Sequence, residues 1–128
     1  MPQSENKKET VLLIGASNKP DRYSFKALKM LQEYGHNIIP INPVLEEIEG
    51  IKVFHSLPEI GEQRVDTVTL YVNPEVLKKY VSDLLALKPQ RVIFNPGTES
   101  EEIEGELVKS GIKAIEACTL VMLRTGQF

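Results

Sequence analysis

Gly15-Ala16-Ser17-Asn18-Lys19-Pro20-Asp21-Arg22 gathers a glycine, two short polar side chains and two cations between an apolar run and a helical pattern. A glycine at the end of a strand lets backbone come close to a phosphate, and the helix that follows offers free N–H groups and the positive end of its dipole. Ser17 and Asn18 can donate hydrogen bonds there, and Lys19 and Arg22 can neutralise charge. The segment lacks the second and third glycines of G-x-G-x-x-G and is not a P-loop, so no dinucleotide fingerprint is met. The same residues also read as a polar loop with Ser24 as a helix cap, and spacing does not choose between the two.

A second constellation is a dipeptide used three times. The apolar runs Ile38–Ile41, Val68–Val72 and Val92–Phe94 end in Asn42-Pro43, Asn73-Pro74 and Asn95-Pro96. Each pair has a structural explanation. Asn73-Pro74-Glu75 is a helix start with Asn as cap and Pro in the first turn. Asn95-Pro96-Gly97 leads into a Thr98/Glu101 capping box, and Asn42-Pro43 stops a strand. Proline also fixes the chain and removes an N–H donor, so these loops suit an uncharged, partly apolar ligand arm better than a second phosphate. Asn42-Pro43-Val44-Leu45 further lacks the acid that a NAD-binding sheet places at the end of its second strand. Its absence favours a ligand with phosphate on the ribose, such as coenzyme A or NADP.

Reactive groups are few. Cys118 is the single cysteine, and near the crevice it is a candidate for thiol exchange if its pKa were lowered; otherwise it is a small buried apolar residue. His36 falls before the second strand, away from the crevice, and His55 follows the third with no acid paired in sequence. The Glu99–Glu106 cluster reads as a solvated helix face. No complete catalytic machinery emerges.

These residues need a scaffold, and the hydrophobic pattern supplies one. Val11–Ile14, Asn37–Ile41, a short strand around Lys52–Phe54, Asp66–Val72, Arg91–Phe94 and Lys113–Ala117 read as strands. Helical stripes lie between them: Phe25 to Tyr34 stopped by Gly35, Val76 to Leu85, and Glu101 to Lys109 stopped by Gly111. One turn of helix is expected at Ser56–Ile60, an exposed turn at Glu46–Gly50, and an apolar segment Leu120–Leu123 closes the chain. Strands and helices that alternate through short links define an α/β fold, a doubly wound, mostly parallel sheet in three layers. Right-handed crossovers give the order 3-2-1-4-5 with the sixth strand at the edge, which brings the Asn-Pro pairs and Gly15 to one edge.

With 128 residues, 41% hydrophobic and 26% charged, the chain is expected to form one domain over 10–128 after a loose leader at 1–9. A net charge of -3 gives no general attraction to nucleic acid or anionic membrane. No apolar run reaches spanning length and no signal peptide is apparent, so a reducing cytoplasm is the expected setting.

Gly15-Ala16-Ser17, Tyr34-Gly35-His36 with Ile39-Pro40-Ile41-Asn42-Pro43, Asp66–Val72 with Asn73-Pro74-Glu75, and Asn95-Pro96-Gly97-Thr98 together resemble the small stand-alone coenzyme A-binding proteins. Their domain is similar to the N-terminal domain of the succinyl-CoA synthetase α subunit, and the likeness spans about residues 10–118. It implies a Rossmann-like domain with coenzyme A, free or acylated, along the strand ends. Gly15, Ala16 and Ser17 would lie at the phosphates, Asn42 and Pro43 beside the adenosine, Asn73 and Pro74 along the pantetheine, and Asn95, Pro96 and Gly97 toward the thiol. Asn18, Lys19 and Arg22 join this set from the reading of the loop itself. Many relatives end the last strand in an Asp-Arg-Cys type segment; here Ile115-Glu116-Ala117-Cys118 keeps the cysteine without the arginine. The expected function is a coenzyme A sensor, carrier or regulatory partner. The alternatives are an NADP-binding oxidoreductase-like protein and an oligomeric interaction protein that dimerises through Leu120–Leu123 and Phe128.

Overall fold

The computed structural model describes residues 8–128, and among them strands and helices alternate along the chain. In order these are β1 (Thr10–Ile14), α1 (Tyr23–Glu33), β2 (Asn37–Ile41), the short pair β3 (Glu47–Ile48) and β4 (Ile51–Lys52), β5 (Thr67–Leu70), α2 (Pro74–Leu77), α3 (Val81–Leu87), β6 (Arg91–Phe94), α4 (Glu101–Lys109), β7 (Lys113–Glu116) and α5 (Thr119–Arg124). The main sheet runs β2-β1-β5-β6-β7, parallel throughout. The expected order holds for five of the six expected strands, the third being absent from this sheet.

Continuous apolar runs form the central strands because both faces are covered. Along β1, Leu12 and Ile14 enter one core with Leu70, Phe94, Leu77 and Leu84, while Val11 and Leu13 enter another with Leu28, Leu31, Leu120 and Leu123. Helices α2, α3 and α4 therefore cover one face, and α1 and α5 the other. This is a doubly wound, Rossmann-like α/β fold in three layers.

The expected third strand is reduced to one bridge, Ile41 to Phe54. Pro40 explains where it stops. Phe54 N donates to the Pro40 carbonyl and Asn42 N donates to that of Phe54; the next bond of the ladder would come from the N–H that proline lacks. Upstream, Glu47–Ile48 and Ile51–Lys52 pair as a small antiparallel hairpin instead. The segment expected as an exposed turn thus buries Ile48, which is 1% exposed.

Three local readings are corrected. The stripe Val76–Leu85 is broken by a 3-10 turn at Lys78–Tyr80. Helix α4 is capped by Ser100, which accepts from Ile103 N, whereas Thr98 donates back to the Asn95 carbonyl. Helix α1 has no side-chain cap, and Ser24 lies buried within it. Of the leader expected over 1–9, residues 1–7 lie outside the described residues. Lys8 and Glu9 are tethered: Lys8 Nζ donates to the Tyr34 carbonyl, and the Glu9 carboxylate meets Thr67 Oγ1 and Arg91. No described helix is long and apolar enough to cross a membrane.

Candidate functional site

The chain reverses its direction of winding between β1 and β5, and the ends of these strands open a crevice at the carboxyl edge, where open α/β sheets take their ligands. Gly15 is fixed in place here. Its N–H and that of Ala16 both donate to the Ile41 carbonyl, and its φ is +93°. A Cβ at this position would sit 2.7 Å from the Tyr71 carbonyl oxygen and 2.9 Å from Val72 Cγ1.

From Gly15 the loop forms one wall of a cavity of about 570 Å³, lined by Gly15 to Lys19, Arg22 to Ser24, Asn42 to Leu45 and Tyr71. Eight of the residues expected at the site meet here: Gly15, Ala16, Ser17, Asn18, Lys19, Arg22, Asn42 and Pro43. Asn42 joins the two walls. Its amide donates to the Ala16 carbonyl at 2.9 Å, and its oxygen accepts from Val44 N and Leu45 N.

The polarity of this cavity suits an anion. Among the described residues, the N–H groups of Ser17, Asn18, Tyr23 and Ser24 donate to no protein acceptor. The last two are the first donors of α1, which the helix cannot satisfy. Lys19 and Arg22 are exposed, and neither joins an ion pair among the described residues.

A second cavity of about 260 Å³ shares Tyr23 and Tyr71 with the first and is completed by Asn95, Pro96, Cys118 and Leu120. Asn95 is 2% exposed and its amide is fully engaged. Nδ2 donates to Thr69 Oγ1 at 2.7 Å and to the Leu70 carbonyl at 2.8 Å, while Oδ1 accepts from Thr119 N at 2.8 Å. It therefore clamps β5, β6 and α5 together. Tyr71 stands between the cavities. Burial pushes its phenol up to about 12, against a smaller opposing pull from the Thr119 and Thr69 hydroxyls. Those two hydroxyls bond each other at 2.8 Å, and the Tyr71 hydroxyl is left buried without a hydrogen bond.

Asn73, Pro74 and Gly97 line neither cavity. Asn73 Oδ1 accepts from Val76 N as the cap of α2, and Gly97 N donates to Glu99 Oε1. Tyr23, Ser24, Val44, Leu45, Tyr71 and Leu120 are lining residues that the motifs did not single out. His36 lies at the opposite edge, where its Nδ1 accepts from Glu9 N and its ring meets Phe128. His55 is held by the Leu45 carbonyl and the Glu46 carboxylate, an acid partner not apparent from sequence spacing. The apolar tail is used within the chain: Leu120, Met122 and Leu123 are buried, leaving Val121 exposed.

The fold and the two adjoining cavities define a doubly wound α/β domain with a crevice at the strand ends. Residues 9–124 match the CoA binding domain family, and the chain belongs to that family. It is 31% identical over 101 residues to the uncharacterized protein YneT of Bacillus subtilis, covering 79% of this chain and 74% of that protein. It is 34% identical over 106 residues to the alpha subunit of the ADP-forming acetate–CoA ligase II of Pyrococcus furiosus, covering 77% of this chain but 23% of the subunit. A crystal structure of an uncharacterized protein superposes with a TM-score of 0.86 at 39% identity, over 95% of this chain and 99% of that one.

Proposed function

We propose that this protein is a coenzyme A-binding module that acts as a sensor, carrier or regulatory partner. The observation that carries the reading is the polarity of the crevice along its length. Free N–H groups at Ser17, Asn18, Tyr23 and Ser24, with Lys19 and Arg22, stand at one end, and an apolar cavity stands at the other. Coenzyme A has that sequence of parts, a phosphorylated nucleotide followed by a largely uncharged arm. In this reading the phosphates meet the Gly15–Arg22 loop and α1. The adenosine lies against Asn42, Pro43 and the exposed Val44, and the arm passes between Tyr23 and Tyr71 toward Asn95 and Pro96. The end of β2 offers no carboxylate to a ribose hydroxyl, which favours this ligand over NAD.

Thermal-shift and calorimetric titrations with coenzyme A, NAD and NADP test it. Ligand at 100 times its Kd stabilises the native state by about 2.7 kcal/mol, a shift of several degrees for a domain this size. Lys19→Ala together with Arg22→Ala should weaken coenzyme A by about tenfold and reduce its salt dependence, since each exposed cation–phosphate contact contributes on the order of 0.5–1 kcal/mol. Stabilisation by NADP and not by coenzyme A would overturn the proposal.

A further inference from the structure

We infer that the smaller cavity receives the acyl group of an acyl-coenzyme A and selects uncharged alkyl chains over those that end in a carboxylate; this rests on the coenzyme A reading above. Three observations point to that occupant. The cavity adjoins the anion-suited crevice, with Tyr23 and Tyr71 lining both, so a ligand held by its phosphates has only these two side chains to pass. Its remaining lining is Asn95, Pro96, Cys118 and Leu120. Asn95 has both amide protons and its oxygen already bonded within the fold. The Tyr71 hydroxyl is unbonded but exposes no surface, so the lining is mostly apolar, which suits an alkyl chain.

The same walls discriminate. Among the described residues no cation lines this cavity, and Lys19 and Arg22 belong to the neighbouring one. A terminal carboxylate carried into it would lose its hydration with no partner, a large penalty for a charged group. Size sets a ceiling. A volume of about 260 Å³, at the ~30 Å³ taken up by a water-sized group, holds about eight such groups, enough for the three atoms of the thioester and roughly five further carbons.

The test is a calorimetric series on the intact chain with free, acetyl-, butyryl-, hexanoyl-, dodecanoyl- and succinyl-coenzyme A. Burial of each methylene is worth about 0.8 kcal/mol, or about fourfold in Kd, so butyryl should bind about fifteenfold tighter than acetyl. The gain should continue to about hexanoyl and be lost at dodecanoyl. Succinyl-coenzyme A, with the carbon count of butyryl, should bind at least about tenfold more weakly than butyryl. Cys118→Leu, which narrows the cavity, should flatten the series, and Pro96→Trp at the exposed mouth replaces it if that variant does not fold. Equal affinity for free, acetyl and hexanoyl forms overturns the acyl assignment while the coenzyme A reading stands. Succinyl binding as tightly as butyryl overturns the selectivity. No binding by any member overturns the coenzyme A reading itself.

Discussion

Replacing Asn95 with aspartate keeps the shape of a buried side chain and removes its two donors. In the native protein those donors meet Thr69 Oγ1 at 2.7 Å and the Leu70 carbonyl at 2.8 Å. Thr69 can turn its hydroxyl proton toward the new carboxylate, but the Leu70 carbonyl cannot, so one acceptor would face another at hydrogen-bond distance. The bond from Thr119 N would survive. One unmatched buried group costs about 1–3 kcal/mol, and burying an anion beside it raises the total to about 2–4 kcal/mol at pH 7.5. The introduced carboxyl recovers a donor by taking up a proton, so its pKa in the folded state is raised above the unfolded value of about 3.9. A group of that kind stabilises below its unfolded pKa and loses the contribution as pH rises through the folded one. The deficit of N95D relative to wild type should therefore shrink steadily as pH falls from 7.5 toward 4. Urea unfolding of both proteins across that range measures it. A variant within about 0.5 kcal/mol of wild type at pH 7.5, or a deficit that does not change with pH, would refute the clamp; such a variant with weakened coenzyme A binding would instead make Asn95 a ligand contact.

Gly15→Ala forces a Cβ to 2.7 Å from the Tyr71 carbonyl oxygen, whereas Gly111→Ala, at a similar φ of +85°, meets nothing within 4 Å. Both should lose the backbone term, and Gly15→Ala should lose about 1–3 kcal/mol more from overpacking; equal melting temperatures would deny the close approach. Burial lowers the pKa of His36 from 6.5, opposed by Glu9 and assisted by Lys8 and Arg91. Below pH 6.5 the unfolded chain then binds more protons than the folded one, so stability falls with falling pH, by at most about 1.4 kcal/mol per pH unit for this one proton. His36→Asn should remove that part of the slope in denaturation measured between pH 7 and 5. In a spectrophotometric titration of the four tyrosines, Tyr71 should ionise last, near pH 12; four phenols titrating together near 10 would contradict its burial.

The sheet was legible because its strands are written as unbroken apolar runs such as Val11–Ile14 and Val92–Phe94, whose covered faces leave no room for alternation. The third strand was overestimated although Pro40 held the reason in plain sight: a missing donor matters only once the neighbour on that side is known. The cap of α4 was misplaced because Thr98 and Ser100 both offer hydroxyls near a glutamate, and only tertiary contact turns Thr98 back into its own turn. At the site, the Gly15–Arg22 loop and Asn42-Pro43 were readable from residue type and strand-end position. Tyr71 was not, because the run Val68–Val72 concealed that the strand ends at Leu70 and leaves this side chain at the crevice. The signal available was a tyrosine closing an apolar run at the ligand edge. Asn73-Pro74 was readable as a helix start and serves as one.

Asn42 carries a consequence for how this protein can change over generations. Its single side chain holds the Ala16 carbonyl on one loop and two N–H groups on the next. Surface loops ordinarily tolerate gains and losses of residues, but here an added residue between Gly15 and Ala16 would pull both walls out of register at once. Descendants of this chain should vary the chemistry of the Ser17–Arg22 segment freely while the spacing from Gly15 to Ala16 and from Asn42 to Leu45 stays fixed. New ligand preferences in this lineage would then arise by substitution within walls of constant length.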